Sequence, residues 1–157
     1  MTQQVGQEAT LPFVIRGQYI KDLSFENPNP LKYLVEESDK EPSITVDIQA
    51  TSNAIAEKIF EVVLHVRVDA KRNDEQMFLG ELTYAGLVSI GELPDEFVKP
   101  LLLIHCPNLL FPFARNILSD AVRDGGFPPL MLAPVDFAYL YQQQHGEAQE
   151  APQQATA

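Results

Sequence analysis

The chain has 157 residues, 45% hydrophobic and 21% charged, enough for one domain with a sizeable core but not for a second independent one. Its 11 lysines and arginines stand against 22 acidic residues, a net charge of -11, which argues against nucleic acid or an anionic membrane surface and favours basic partners. The opening "MTQQVGQEAT" has neither a basic start nor an apolar run, so neither a secretory leader nor a transmembrane span is expected. The single cysteine, Cys106, has no partner for an internal disulfide and suits a reducing compartment, so the expected location is cytoplasmic.

Residues 1–10 are expected to be a disordered terminus and 11–142 one domain. From Leu11 the dominant period is two. "LPFVIRGQYIKDLSFE" places Leu11, Phe13 and Ile15 on one face, passes Gly17, where a bulge or bend is expected, and continues with Tyr19, Leu23 and Phe25. Ile44, Val46, Ile48 and Ala50 alternate with Thr45, Asp47, Gln49 and Thr51, whereas "TSNAIAEK", Thr51 to Lys58, fits a strand or a short helical turn. Phe60, Val62, Leu64, Val66 and Val68 form the dry face of the next strand. From Met77 to Val88 both faces need cover, one with Phe78, Leu82 and Tyr84, the other with Met77, Leu79, Thr83 and Ala85 beside Glu81. Turn signals separate the runs: "NPNP", "EESDKEP" and "KRNDEQ".

After Gly91 the period becomes helical. Leu110, Phe113, Ala114, Ile117, Leu118, Ala121 and Val122 form one stripe, with Asn108 as cap, Pro112 in the first turn and Gly125 at the end. A second helix is expected from near Pro134, with Phe137, Leu140 and Tyr141 on one face. Beyond Gln142, "QQHGEAQEAPQQATA" has no large apolar residue, so 143–157 is expected to be a disordered tail. Strands followed by helices give an α+β order and an antiparallel sheet.

Catalytic chemistry is hard to assemble from these residues. His65, His105 and His145 fall at no metal-ligand spacing, the "HCPN" run is better read as a buried structural cysteine than as a nucleophile, and Gly125-Gly126 lacks the residues of a phosphate loop. The apolar excess is more informative. "GGFPPLMLAPVDF", Gly125 to Phe137, interleaves three prolines with large apolar side chains. An oligomer interface, an apolar binding groove, or a connector tucked over the sheet as ordinary core would each account for it.

The motifs "YIKDLSFENP", "CPNLLFPFAR" and "GGFPPLMLAPVDFAYLY", in that order, resemble the SecB family of bacterial protein-export chaperones, over residues 11–142. The resemblance implies a SecB-like α+β fold: a four-stranded, Greek-key-like antiparallel sheet with two C-terminal helices on one face, assembled as a homotetramer, a dimer of dimers. It implies a holding chaperone that works without ATP or any other cofactor, binds unfolded preproteins and passes them to the motor ATPase SecA, whose docking segment carries its own zinc. By position, Asp22, Glu26, Leu79 and Glu81 match the SecA-docking surface. Phe127, Leu130, Met131, Leu132 and Phe137 are the expected client groove, and Gly80, Leu82 and Tyr84 the expected tetramer contacts, where a charged substitution should yield dimers. The alternative is a non-catalytic adaptor whose apolar surface serves assembly alone.

Overall fold

The alternating runs pair into one sheet of order β1-β4-β3-β2, every neighbour antiparallel: β1 Phe13–Glu26, β2 Ser43–Ala56, β3 Ile59–Arg72 and β4 Glu75–Ile90. The computed structural model describes residues 12–38 and 40–150, with side chains to residue 145; the expected disordered N-terminus and the last residues of the expected tail lie outside the described residues. Strands β2, β3 and β4 form a meander, and β1 returns to lie beside β4, which is the Greek-key order. The most apolar strands hold the centre. Val62, Leu64, Val66, Val68 and Ala70 of β3 are all 0% exposed.

Local chemistry sets the connections. Asn73 and Asp74 turn β3 into β4 with φ of 53° and 60°, the left-handed pair of a two-residue hairpin that short polar residues tolerate. "TSNAIAEK" resolves as strand: Thr51 to Ala56 continues β2 against Ile59 to Val63, and Lys58 makes the turn at φ 57°. Cross-strand pairing decided a segment whose own preference was mixed. In β1 the register slips at Arg16, beside Gly17, and again at Lys21. Since each slip moves later side chains to the opposite face, Tyr19 lands on the face away from Phe13 and Ile15, and Leu23 and Phe25 return to theirs.

Two stretches differ from the expectation. "NPNP" does turn the chain, but Pro30 also opens a short helix, α1 Pro30–Val35, consistent with proline's fit at a first helical position. The long helix begins well before Asn108: α2 Asp95–Pro100, a π-helical turn Leu101–His105 and α3 Cys106–Asp124 form one continuous helical run. Pro107 and Pro112 lie inside it. In the π turn the Cys106 N–H bonds the Leu101 carbonyl, five residues back, a local widening directly before Pro107, which has no N–H to donate. By length and composition the run Asp95–Asp124 is apolar enough to cross a membrane. Its stripe is already used, with Leu102, Leu110 and Leu118 at 2%, 0% and 1% exposure in the core. Phe113, expected in that stripe, is instead 52% exposed.

Helix α3 lies across β3 and β4. A Cβ on Gly86 would come within 3.0 Å of Leu110, and one on Gly80 within 3.4 Å of Leu118, so the bare backbone of β4 is what admits the leucine ridge. Gly80, Leu82 and Tyr84 are therefore buried beneath this chain's own helix. A charge at Leu82 would be buried without a partner and would unfold the chain, so the dimer-yielding variant expected from the sequence has to be sought on a different surface.

The two glycines after α3 have separate tasks. Gly126 takes the left-handed conformation, φ 93°, while Phe127 N–H bonds the Val122 carbonyl and Gly126 N–H the Arg123 carbonyl, closing the helix in a Schellman motif. Gly125, expected to be the cap, is needed for space, since its Cβ would lie 2.5 Å from the Phe25 ring. The last helix, α4, spans Phe137–Glu150 and so continues beyond Gln142. Its cap is Asp136, whose carboxylate accepts from the Tyr139 N–H at 3.1 Å. Gly125→Ala should cost about 1–3 kcal/mol by overpacking. In Phe25→Leu the same change should cost less, and chemical denaturation of the two single variants and the double variant checks this.

Candidate functional site

Helix α3 is too narrow to cover four strands, and β2 is left with a dry face that it does not reach. Ile44 and Val46 remain 40% and 39% exposed, and Ile48 half-buried. The chain between Phe127 and Asp136 runs opposite them. Three of its side chains are anchored. Phe127 packs on Phe78 with ring centroids 5.0 Å apart and on Tyr33 of α1 at 6.2 Å. Leu132 is 8% exposed, and Phe137 meets Phe111 of α3 edge-on at 5.9 Å. Between the anchors Leu130 is half-buried and Met131 is 75% exposed.

Two cavities follow one another between this connector and β2. The first, about 430 Å³, is lined by Ile44, Met77, Phe127 and Leu130 together with Glu41 and Arg72. The second, about 400 Å³, is lined by Val46, Ile48, Leu132, Pro134, Val135 and Leu140. From Ile44 to Ile48 the groove follows the strand for about 14 Å, room for roughly four residues of extended chain. Of the five residues expected to line it, Phe127, Leu130 and Leu132 stand in the cavity walls, Met131 is 75% exposed but lines neither cavity, and Phe137 is buried and fixes the connector. Ile44, Val46 and Ile48 were visible in the sequence as a dry strand face. What covers that face was not.

The opposite face of the sheet is polar and laid out in lateral rows. Asp22 lies opposite Thr83, which faces His65; Ser24 opposite Glu81, which faces Arg67 and then Asp47; Glu26 opposite Leu79, which faces Asp69. The strands thus bring the expected docking residues Asp22, Glu26, Leu79 and Glu81 to one face. Leu79 is half-buried between two carboxylate-bearing neighbours. Thr83 Oγ1 and His65 Nδ1 are 2.8 Å apart, and Arg67 Nη1 donates to Glu81 Oε1 at 2.5 Å. Sequence reading missed Arg67, although the hairpin pairing places it directly across from Glu81.

Further along this face, Glu61 accepts from the Tyr19 hydroxyl and, at 3.0 Å, from Lys21 Nζ. These two hydrogen bonds, Tyr19's the stronger influence, hold the Glu61 carboxyl below its usual range. The same bond, with some burial, pushes the Tyr19 phenol up to about 12.

The single cysteine is not poised for attack. Cys106 is 0% exposed and burial pushes its thiol up to about 12, so it stays protonated, while the adjacent His105 is exposed. Among the described residues no three histidine, cysteine or acidic side chains gather into a possible metal site. What the geometry offers is surface: an apolar groove on one side of the sheet and a patterned acidic patch on the other. That combination gives the chain surfaces suited to binding other molecules.

The family follows from comparison. The model of the preprotein translocase subunit SecB matches residues 6–148, and the chain belongs to the SecB family of protein-export chaperones. The protein-export protein SecB of Nitrobacter hamburgensis is 53% identical over 140 residues, 89% of this chain and 87% of that protein. The Rhodospirillum rubrum protein of the same description is 44% identical over 148 residues, 93% and 91%. A Mycobacterium tuberculosis SecB-like chaperone, solved with a ChAD peptide from the HigA1 antitoxin, has the same fold: TM-score 0.65 at 13% identity, covering 79% of this chain and 91% of that one. SecB proteins are non-catalytic chaperones of export, and that general function is this chain's.

The lowered Glu61 carboxyl has a pH consequence. A group whose folded value lies below its unfolded value of about 4.3 stabilises above that pH and stops doing so as pH falls through the folded value. The melting-temperature gap between wild type and Glu61→Gln should therefore be present at neutral pH and close in acid below about pH 4.3. A gap that stayed constant through that range would contradict the assignment.

Proposed function

We propose that the chain holds unfolded secretory preproteins in the groove between β2 and the proline-rich connector, without ATP, and delivers them to SecA through the opposite face of the sheet. The observation that carries this reading is the separation of the two surfaces by the thickness of one sheet. Side chains alternate across a strand, so Ile44, Val46 and Ile48 serve the groove while Leu79 and Glu81 serve the other side, and client and motor need not compete.

The groove suits promiscuous binding. Its walls are mainly aliphatic and aromatic, with Glu41, Asp47 and Arg72 the charged residues among them, so affinity comes mostly from apolar burial without demanding a particular sequence. Prolines hold Leu130 and Met131 on display, so little loop entropy is lost when a client binds. Met131 adds a flexible, polarizable contact. The outer face suits a basic, partly apolar segment of SecA: Leu79 offers the apolar contact, and Asp22, Glu26 and Glu81 the charge. Any zinc belongs to SecA's segment. A cytoplasmic location fits this cycle.

The working unit in this proposal is a homotetramer, a dimer of dimers. Gly80, Leu82 and Tyr84 contribute by seating α3, which leaves Leu109 and Phe113 about half exposed, at 50% and 52%, a surface more apolar than an isolated helix face needs. Light scattering should report a smaller, folded species for Phe113→Glu. For Leu82→Glu it should report loss of the folded state. A Phe113→Glu tetramer of unchanged stability would remove α3 from the interface.

The groove is tested by aggregation protection of an unfolded preprotein. Ile44→Ser with Met131→Ser should weaken holding by roughly tenfold or more and leave SecA binding unchanged. Glu81→Lys should do the reverse, weakening SecA binding by about 1 to 3 kcal/mol. Equal losses of both activities in either variant would mean that one surface serves both partners. A tetramer that gives no protection at all would leave assembly as the only use of the apolar surface.

A further inference from the structure

On the acidic outer face, the side chain that reaches Glu81 is a cation from the chain itself. Arg67 Nη1 lies 2.5 Å from Glu81 Oε1, and the two side chains are 48% and 32% exposed, so both ends of the pair are open to an incoming molecule. Arg67 is also flanked. On its other side, in the same lateral row, it faces Asp47 of β2, which is exposed. The rows on either side bring Asp22, Glu26 and Asp69 to this face as well. Asp69 is already engaged by the Gln76 amide at 2.6 Å. Arg67 thus has two carboxylates within its row, one on β4 toward the docking residues and one on β2 away from them.

Resting on the docking role given above to Glu81, we infer that Arg67 is a resident counter-ion that a basic partner must displace, and that it moves to Asp47 when the partner's cation takes Glu81. Three physical points support this. An exposed ion pair is weak, and its rupture costs little, so displacement is feasible at a docking site. Asp47 lies one strand away, about 5 Å, within reach of a long, flexible guanidinium side chain, so Arg67 keeps a charge partner throughout the exchange. Without Arg67, this central row would present Glu81 and Asp47 with no opposing charge and would attract any basic peptide. The resident cation therefore raises the threshold, admitting partners that place a cation at Glu81 and an apolar side chain on Leu79 together and disfavouring those that bring charge alone.

The test is binding of purified SecA to wild type, Arg67→Gln, Arg67→Lys, Asp47→Asn and Glu81→Lys at low and high salt, with melting temperature and client protection measured on each. Arg67→Gln should bind SecA about two- to fivefold more tightly at low salt, with the gain shrinking as salt screens exposed charge. Arg67→Lys, which restores a cation, should return to near the wild-type affinity. Asp47→Asn should weaken binding, because the displaced Arg67 has lost its second carboxylate. If Glu81→Lys weakens SecA binding but Arg67→Gln leaves it unchanged or weaker, the counter-ion role is overturned and the docking face survives. If Glu81→Lys binds SecA as wild type does, the docking reading fails, and this inference fails with it. An unchanged Asp47→Asn alongside a tightened Arg67→Gln would overturn the exchange onto Asp47.

Discussion

The seating of the α3 leucine ridge on a glycine-notched stretch of β4 is the contact on which the rest of the architecture depends. Gly80 and Gly86 let Leu118 and Leu110 come down onto the sheet backbone, and Ala114 between them, 0% exposed, keeps the helix low along its length. Close packing of this kind fixes the helix position tightly, because moving it opens voids or forces overlap. One helix so placed covers two strands. The apolar inner face of β2 is left over as a geometric remainder, and the groove is built on that remainder rather than carved into the core.

The connector then solves a conflict between order and display. A flexible loop with these apolar side chains would collapse onto the protein, and a regular helix would turn half of them inward. Three prolines forbid the helix and limit the backbone, while Phe127, Leu132 and Phe137 fasten the strip at its start, middle and end. The aromatic cluster at the start ties in α1 as well, since Tyr33 rests on Phe127, and Lys32 and Asn29 reach Glu75 at the end of the β3–β4 hairpin. Groove, short helix and hairpin thus share one anchor. Loosening Phe127 would disturb all three.

Much of this was legible in the sequence, for identifiable reasons. Period-two alternation survives folding in β2 up to Ala54, in β3 up to Ala70 and in β4 from Phe78, where the strands keep their phase. The rows holding Asp22, Glu26, Leu79 and Glu81 follow from alternation once the register is set. Met77, expected on the face of Leu79, is in the core because the register slips beside it. Tyr19 was misplaced because β1 slips at Arg16 and Lys21, and the glycine beside the first slip signals a bulge without giving the change of face. The start of the long helix was missed because Asn108 and Pro112 read as a cap and a first turn, when the helical run continues upstream through a π turn at Leu101–His105. The groove was half read: the connector residues stood out by composition, but their division into anchors and displayed side chains depends on what lies beneath, which no local pattern encodes. Arg67 went unnoticed for the same reason, since its meaning comes from the strand across from it.

The account's central claim is that client and motor use opposite faces of one sheet, and site-specific photo-crosslinking tests it most directly. A photoreactive side chain placed at Ile44 and another placed at Thr83 would each be irradiated with an unfolded preprotein, with SecA, and with both together. The account predicts preprotein adducts only from position 44, SecA adducts only from position 83, and undiminished yields of both when the partners are mixed. Preprotein adducts at position 83, or loss of either adduct on mixing, would contradict it.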